Sequence, residues 1–440
     1  MVKYIIIIIA FLTSLCLQSQ TIDKTKLDSL FSNIEENKIG MGTVSIFKDG
    51  QEVYQKSIGF SNINSKSKAN ALTKYRIGSI TKTFTATIIM QLIDEKKLSL
   101  SSNLSSHFPE IENAEIITIE NLLYHRSGLH NVTNEKDFQL WISKPRKRKE
   151  MLEKFIKNGV DFEPNEKTAY SNTNYILLSY IAEDIDKKTF SEILNNRISD
   201  PIKLDRTIYG KDIIPSENEA VSYYEEDSEW KPITLETDLT GPMGAGAIVS
   251  TPRELNVFYD NLFSGNLVSK DALEQMKSVK ENMGMGLSKL VFKGLEVYGH
   301  DGGIDGFRSM AAYVPSRNVS IAFSFNALNT EATTILVSLL ETYFSNDPSL
   351  ESESKIDLTS NDLDVYLGVY SGSTFPAKVT FTKEGNTLFA QATGQPIFKL
   401  IATEKDSFSY DSMGIKFTFN LANNSMILNF GGKIHDLQKE

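Results

Sequence analysis

Ser79 and Lys82 stand three residues apart in the string Arg76-Ile77-Gly78-Ser79-Ile80-Thr81-Lys82. On a helix that spacing stacks both side chains on one face, so the amine falls within reach of the hydroxyl and lowers the cost of its deprotonation. A helix starting at the serine adds a positive dipole end and unpaired N–H groups, which stabilise a developing oxyanion. A second string, Tyr170-Ser171-Asn172, offers a phenol that can shuttle a proton beside a cation and an amide that can orient a substrate carbonyl or the lysine. A third, Gly299-His300-Asp301-Gly302-Gly303, combines a histidine with glycines that let a substrate approach the backbone closely. There the N–H of Gly303 is a candidate second oxyanion donor beside that of Ser79.

Each string alone is weak. Ser65 and Lys68 repeat the first spacing in a polar loop with no apolar helix behind it, and Tyr259 and Asn261 repeat the second inside an amphipathic pattern (Leu255, Phe258, Tyr259, Leu262) that makes the tyrosine core-facing. A loop histidine followed by glycine is more often structural than catalytic. In chain order, however, the three strings lie about 90 and then about 130 residues apart, and together they point to nucleophilic catalysis by serine.

Other chemistries are poorly supported. The five histidines, His107, His125, His130, His300 and His435, include no helical i, i+4 pair, and His125 and His130 sit five apart in a Ser/Gly-containing loop without a carboxylate pattern, so no metal is expected. No GxxxxGK[ST] or GxGxxG phosphate loop occurs, and no cofactor is called for. With 46 Lys+Arg against 56 Asp+Glu, the net charge of -10 excludes the basic surface that nucleic acid requires. A single cysteine, Cys16, excludes an intrachain disulfide.

The elements that must position these residues are mixed. Leu27, Leu30, Phe31 and Ile34 recur at helical spacing, and the runs 43–47 and 52–58 flank Asp49-Gly50, a hairpin signal. From Lys82 to Ile93 apolar residues cover most of the helix circumference, which predicts a buried helix directly behind Ser79. A second helix is expected from Asn174, and a third after Thr251, with Pro252 at its first position and Glu254 completing a capping box. A strand is expected over residues 295–298, with the His300 string in the loop after it. Helices mixed with hairpins give an α+β fold. Residues 346–361 read as a linker, and 362–440 alternate as six or more short strands with hairpin turns, predicting a small antiparallel β-barrel.

At the N-terminus, Lys3 precedes an apolar stretch over residues 4–17 and then Gln18, Ser19 and Gln20, which reads as a signal peptide over residues 1–19. The alternatives are an uncleaved anchor, for which about 14 apolar residues fall short of the roughly 20 that span a bilayer, and a lipidated Cys16, disfavoured by Leu15 before it. Export to the periplasm or outside the cell is expected, with no membrane span left after cleavage.

These three strings resemble the active-site motifs of the serine β-lactamase and penicillin-binding-protein-like superfamily. The resemblance is in particular to the class C β-lactamase branch, with its D-alanyl-D-alanine carboxypeptidases, D-aminopeptidases and esterases. Supporting strings are residues 122–129 (LLYHRSGL), 162–164 (FEP), 244–251 (GAGAIVST) and 306–309 (GFRS), so the resemblance covers roughly residues 25 to 345. It implies an antiparallel sheet flanked by helices plus an all-helical subdomain, with the active site between them and the hydrolase domain over residues 20–345. The tail, opening with Tyr366-Leu367-Gly368-Val369-Tyr370, is similar to a lipocalin-like C-terminal domain that some members carry.

Carried over, the resemblance makes Ser79 the acylated nucleophile, Lys82 its base, and Tyr170 the group that protonates the leaving group and activates the deacylating water. Asn172 helps hold the substrate, His300 replaces the lysine of a Lys-Thr-Gly element, and Ser79 and Gly303 form the oxyanion hole beside Gly302. Asp301 departs from the family pattern: it stands where Thr or Ser helps bind a substrate carboxylate, and would repel one. It either selects neutral or amine-bearing substrates or points away and accepts turn N–H groups. The expected activity is hydrolysis of an ester, an amide such as a D-amino-acid peptide, or a lactam, on a small or peptide substrate, with cell-wall material among the candidates. The alternative is a penicillin-binding or sensory module that does not turn over. No oligomer is indicated.

Overall fold

Asp49 and Gly50 both take positive φ, 52° and 75°, the left-handed pair that reverses a tight hairpin. They join β1 (Gly40–Lys48) to β2 (Gln51–Ile58), after the opening helix α1 (Lys24–Glu36). The computed structural model describes residues 22–347, 350, 356–395, 397–410, 415–430 and 433–440. The expected signal peptide, Cys16 and part of the expected linker lie outside the described residues.

The helix behind Ser79 is α2 (Thr81–Asp94), and all its residues from Thr81 to Met90 are buried. Its threonines are accommodated because their hydroxyls return to carbonyls: Thr83 Oγ1 donates to Gly286 O at 2.7 Å and Thr85 Oγ1 to Gly244 O at 2.7 Å. Then come α3 (Asn172–Asp186), α4 (Pro252–Phe263), four strands β3 (Ser288–Phe292), β4 (Leu295–Ile304), β5 (Phe307–Val314) and β6 (Val319–Leu328), and α5 (Ala332–Tyr343). The strands form one antiparallel sheet in the order β3-β4-β5-β6-β1-β2. Leu27 and Phe31 of α1 and Leu336 and Leu340 of α5 share a core with Ile46, Ile321 and Phe323 of the sheet. A second core joins α2, α3 and α4 with Ile119–Leu123, Arg148–Asn158 and Phe190–Leu194, and in it Phe84 stacks on Phe258 at 3.7 Å. This is the α+β arrangement expected, an antiparallel sheet with helices and a helical layer beside it.

Three local expectations change, and one further helix is found. The His300 string is not a loop: β4 runs on to Ile304, because residues 298–304 pair in register with β5, from Tyr298 opposite Tyr313 to Ile304 opposite Phe307. The second helix starts at Asn172, since extended Ser171 occupies the cap position. Thr251 accepts the Glu254 N–H, but the Glu254 carboxylate takes N–H of Arg206 and Oγ1 of Thr207 instead of closing a capping box. Helix α5 was not anticipated, although its buried residues Ile335, Leu336, Leu339 and Leu340 have helical spacing.

Beyond this layer, nine strands form one further antiparallel sheet: β7 (Gly368–Gly372), β8 (Phe375–Glu384), β9 (Thr387–Ala392), β10 (Phe398–Lys399), β11 (Ile401–Glu404), β12 (Ser407–Tyr410), β13 (Ile415–Asn420), β14 (Ser425–Phe430) and β15 (Lys433–Lys439). Their order is β10-β9-β8-β7-β15-β14-β13-β12-β11. The two edge strands are thus consecutive in the chain with only Leu400 between them, so the sheet curls into a nearly closed barrel. Tyr366, Tyr370, Phe381, Phe417 and Phe419 fill its interior with tilted and edge-to-face contacts. Among the described residues, no helix is long and apolar enough to cross a membrane.

One carboxylate in this framework is a cost to folding. Asp260 on α4 accepts a hydrogen bond from Ser320 through one oxygen, while the other is buried without a partner, and burial pushes its carboxyl up to about 6. The folded state therefore holds a proton that the unfolded chain, titrating near 4, has released, and stability falls as pH rises from about 4 to about 6. Asp260→Asn raises the melting temperature by about 1 to 2 °C at pH 7.5, the shift that about 1 kcal/mol gives in a chain of this size after allowance for its partial exposure. Thermal melts across pH 4 to 8 check this, and the gain vanishes at the acid end.

Candidate active site

Ser79 sits in the single turn Gly78–Ile80 that feeds straight into α2. Gly78 has φ 53°, and a Cβ there would lie 2.8 Å from the Gly303 nitrogen; a Cβ on Gly302 would lie 1.9 Å from Ile77 O and 3.2 Å from the Ser79 nitrogen. Glycines at 78 and 302 are thus what let strand β4 lie directly on the serine turn, bringing the backbones of Ser79 and Gly303 side by side. A buried ion pair holds the same junction: Arg76 donates to Asp305 Oδ2 at 2.9 Å and to Thr237 O at 2.8 Å. Asp305 is the turn residue between β4 and β5, and its other oxygen accepts from the Thr237 N–H and hydroxyl.

The sequence-selected residues converge on one oxygen. Lys82 Nζ lies 2.9 Å from Ser79 Oγ, Tyr170 OH donates to the same Oγ at 2.8 Å, and Lys82 Nζ donates to Asn172 Oδ1 and Ala245 O, both at 2.8 Å. Lys82 is fully buried, and its surroundings hold its amine well below the ordinary lysine value, burial outweighing the opposing charge of Asp301. Burial also raises the Tyr170 phenol, against the lowering effect of the Ser79 hydrogen bond.

His300 is buried on β4, its ring 6.2 Å from that of Tyr170. Its Nδ1 lies 2.6 Å from the Asp301 carbonyl oxygen, which can only accept, so Nδ1 carries the proton. Burial lowers its pKa, and neighbouring Lys82 adds to this against the pull of Asp301. The neutral ring then keeps Nε2 as an acceptor. The Asp301 side chain is 68% exposed, with an oxygen 3.8 Å from His300 Nδ1. The rival strings stay apart: Ser65 bonds to Ser67 on the surface, and the Tyr259 hydroxyl lies 3.2 Å from Thr83 Oγ1 in the core.

Several contributors carried no sequence signal of this role. Asn131 accepts the Asn172 N–H at 3.0 Å and Thr133 receives from its amide at 3.3 Å, so the loop 131–133 aims Asn172 at the lysine. His125, whose φ is 55°, brackets Tyr170: its carbonyl accepts the Ala169 N–H at 2.9 Å, its Nδ1 accepts the Ser171 N–H at 3.1 Å, and its ring stacks on Tyr170 at 4.5 Å. Burial, with Lys82 and His300 nearby, lowers its pKa well below the ordinary value, and a neutral Nδ1 acceptor requires this.

With serine, lysine, tyrosine and asparagine gathered on this fold, residues 27–338 match the family described as Beta-lactamase. The chain belongs to the β-lactamase family. A similar curated member is the teichoic acid D-alanine hydrolase of Staphylococcus aureus, 26% identical over 234 residues, 53% of this chain and 55% of that protein. The chain spans 66% or less of the length of such curated relatives. Among solved structures, a D-stereospecific amidohydrolase from Streptomyces sp. is 27% identical with a TM-score of 0.63, over 71% of this chain and 97% of that one. The octameric penicillin-binding protein homologue from Pyrococcus abyssi shares the fold over 95% of this β-lactamase-family chain and 100% of its own, at 24% identity and a TM-score of 0.66.

Proposed function

We propose that the chain is an exported serine hydrolase that cleaves an ester or amide bond, the amide of a lactam included, through an acyl-enzyme on Ser79. The observation that carries this reading is the meeting of Lys82 and Tyr170 on Ser79 Oγ. Two of the three Lys82 partners, Asn172 Oδ1 and Ala245 O, are acceptors only. A neutral amine fills both with its two N–H bonds and turns its lone pair to Ser79. The serine proton passes to Lys82 as Oγ attacks the carbonyl carbon, and the N–H groups of Ser79 and Gly303 receive the oxyanion. Tyr170, held as a phenol by burial, gives its proton to the departing oxygen or nitrogen as that bond breaks, and the extra proton on Lys82 restores it. Water then attacks the acyl-enzyme, activated by the same pair. The apolar run over residues 4–17 behind Lys3 supports export.

The experiment is intact-mass spectrometry after exposure to a fluorophosphonate, a penicillin and a short-chain ester. An adduct on Ser79 that clears with the ester supports turnover, an adduct that forms and persists supports a binding module, and no adduct overturns the reading.

Two further outcomes follow. Asp301 places an exposed carboxylate close enough for its charge to act on Lys82 and Tyr170, which favours substrates that are uncharged or carry an amine near the scissile bond. The teichoic acid D-alanine hydrolase and the D-stereospecific amidohydrolase are relatives consistent with that choice. Of two amides differing only in a leaving-group carboxamide or carboxylate, the carboxamide reacts about 10-fold faster at low salt, and Asp301→Asn narrows the gap. Equal rates in the native enzyme would remove this role. His125→Ala frees Tyr170 and lowers kcat about 10- to 100-fold with little change in KM, by misplacing the phenol. His125→Asn, which tolerates positive φ and supplies an acceptor, restores part of the loss.

A further inference from the structure

Helix α3 begins at Asn172 after extended Ser171, whose side chain makes no capping hydrogen bond to the first turn. The N–H groups that a helix start leaves open are served instead by a distant loop. Asn131 Oδ1 accepts the Asn172 N–H at 3.0 Å and the Asn172 side-chain amide at 3.3 Å. Thr173 Oγ1 donates to His130 O at 2.7 Å and accepts the Val132 N–H at 3.2 Å. Segment 130–133 thus caps α3 from outside, and its position decides how Asn172 meets Lys82.

His130 ties that segment down. Its N–H donates to Gly159 O at 3.1 Å, next to the bridge between Leu129 and Val160. Its Nδ1 lies 2.9 and 3.1 Å from the two oxygens of Asp161, a carboxylate that only accepts, so Nδ1 carries a proton. Its Nε2 is buried with no hydrogen-bond partner among the described residues; Glu135 Oε1 stands 3.4 Å away, and Lys154 lies 3.6 Å from the other Glu135 oxygen. Thr133 and Asn172 line the cavity beside Ser79, whereas His130 does not. Any effect of His130 on the reaction therefore passes through the loop.

We propose that the His130–Asp161 pair is a positioning pair for Asn172: by fixing the loop over residues 130–133 it holds the Asn172 carbonyl on Lys82, and through Lys82 it sets the rate of Ser79 acylation. The proposal rests on the reading of Lys82 as the base for Ser79. Asn172 Oδ1 is one of the two acceptor-only partners that turn the Lys82 lone pair towards the serine. With the loop loosened, Asn172 is free to turn away and the amine loses its orientation. A carbonyl oxygen 2.8 Å from the amine also favours its protonated form, so losing that contact lowers the Lys82 pKa further. The other groups that act on Lys82, namely Tyr170, His125, His300 and Asp301, keep their side chains when His130 or Asp161 is replaced.

The test is stopped-flow acylation of the full chain by p-nitrophenyl acetate across pH, with a thermal melt on each variant. His130→Ala lowers the acylation rate about 10-fold and moves the acid limb of the profile down by about half a pH unit. His130→Asn, whose side-chain N–H reaches Asp161 as the ring Nδ1–H does, recovers most of the rate and returns the limb to its native place. Asp161→Ala gives the same loss, and the double variant loses no more than either single one. The Asp161 side chain is 48% exposed, so its variant folds and decides the matter even where His130→Ala does not. Folded variants that acylate at the native rate overturn the proposal. So does a loss of rate with an unmoved acid limb and no recovery in His130→Asn, which would make the pair a support of the fold alone. In either case native acylation leaves the serine hydrolase reading intact. A native protein that forms no Ser79 adduct overturns that reading, and the proposal with it.

Discussion

Ser79→Ala lowers kcat/KM for every ester or amide substrate by about 10⁵-fold and abolishes the fluorophosphonate adduct. The magnitude follows from what remains. Backbone N–H groups of residues 79 and 303 still hold a substrate, so KM changes little, but no atom is left within reach of the carbonyl carbon to form a covalent intermediate. Lys82 retains Asn172 and Ala245 as partners, so the fold survives and the loss is chemical. Steady-state kinetics with peptide mapping of the labelled native protein checks it; a labelled alanine variant would place the nucleophile elsewhere.

Lys82→Arg and Lys82→Met each lower the rate of acylation by about 10³-fold, near the upper part of the range for general-base catalysis. The arginine variant is the more informative. A guanidinium keeps a positive charge beside Ser79 but cannot give up a proton near neutral pH, so electrostatic help alone does not rescue the reaction. Because burial holds the Lys82 amine well below its ordinary value, the native kcat/KM profile loses activity as pH falls through that lowered pKa, where the amine becomes protonated. Stopped-flow acylation across pH separates the cases. An arginine variant with near-native acylation would show that charge, not proton transfer, is what Lys82 supplies. Methionine, of similar length and uncharged, tests whether the buried position tolerates the loss of three hydrogen bonds, and a melt on that variant guards against reading instability as chemistry.

Several features were legible in the residues. The Ser-x-x-Lys spacing, the all-round apolar pattern of α2 behind it, and the Tyr-x-Asn string before α3 are local signals: a helical period of 3.6 puts residues 79 and 82 on one face wherever the helix ends up. The alternation and turns after residue 362 described antiparallel strands for the same reason, since a period of two belongs to a pleated strand in any barrel. The hairpin at Asp49-Gly50 was visible because only a few residue types take two positive φ angles in succession.

What the sequence by itself determined, then, were the reactive side chains and the elements that carry them. Only the tertiary structure decided that Tyr170 reaches Ser79 across 91 residues of chain, and that Gly78 and Gly302 let a strand lie on the nucleophile's turn. It also decided that a buried Arg76–Asp305 pair clamps the two. The role of His125 was hidden because its work is done through a main-chain carbonyl and one ring nitrogen meeting residues more than 40 positions away. The extension of β4 through His300 was hidden because strand pairing with β5, and not local propensity, makes a glycine-rich segment extended. Side-chain chemistry and helical or strand period are properties of neighbouring residues and survive in the one-dimensional string. Desolvation of Lys82 and the approach of two backbones arise from residues far apart in the chain, and exist only once the core has closed around them.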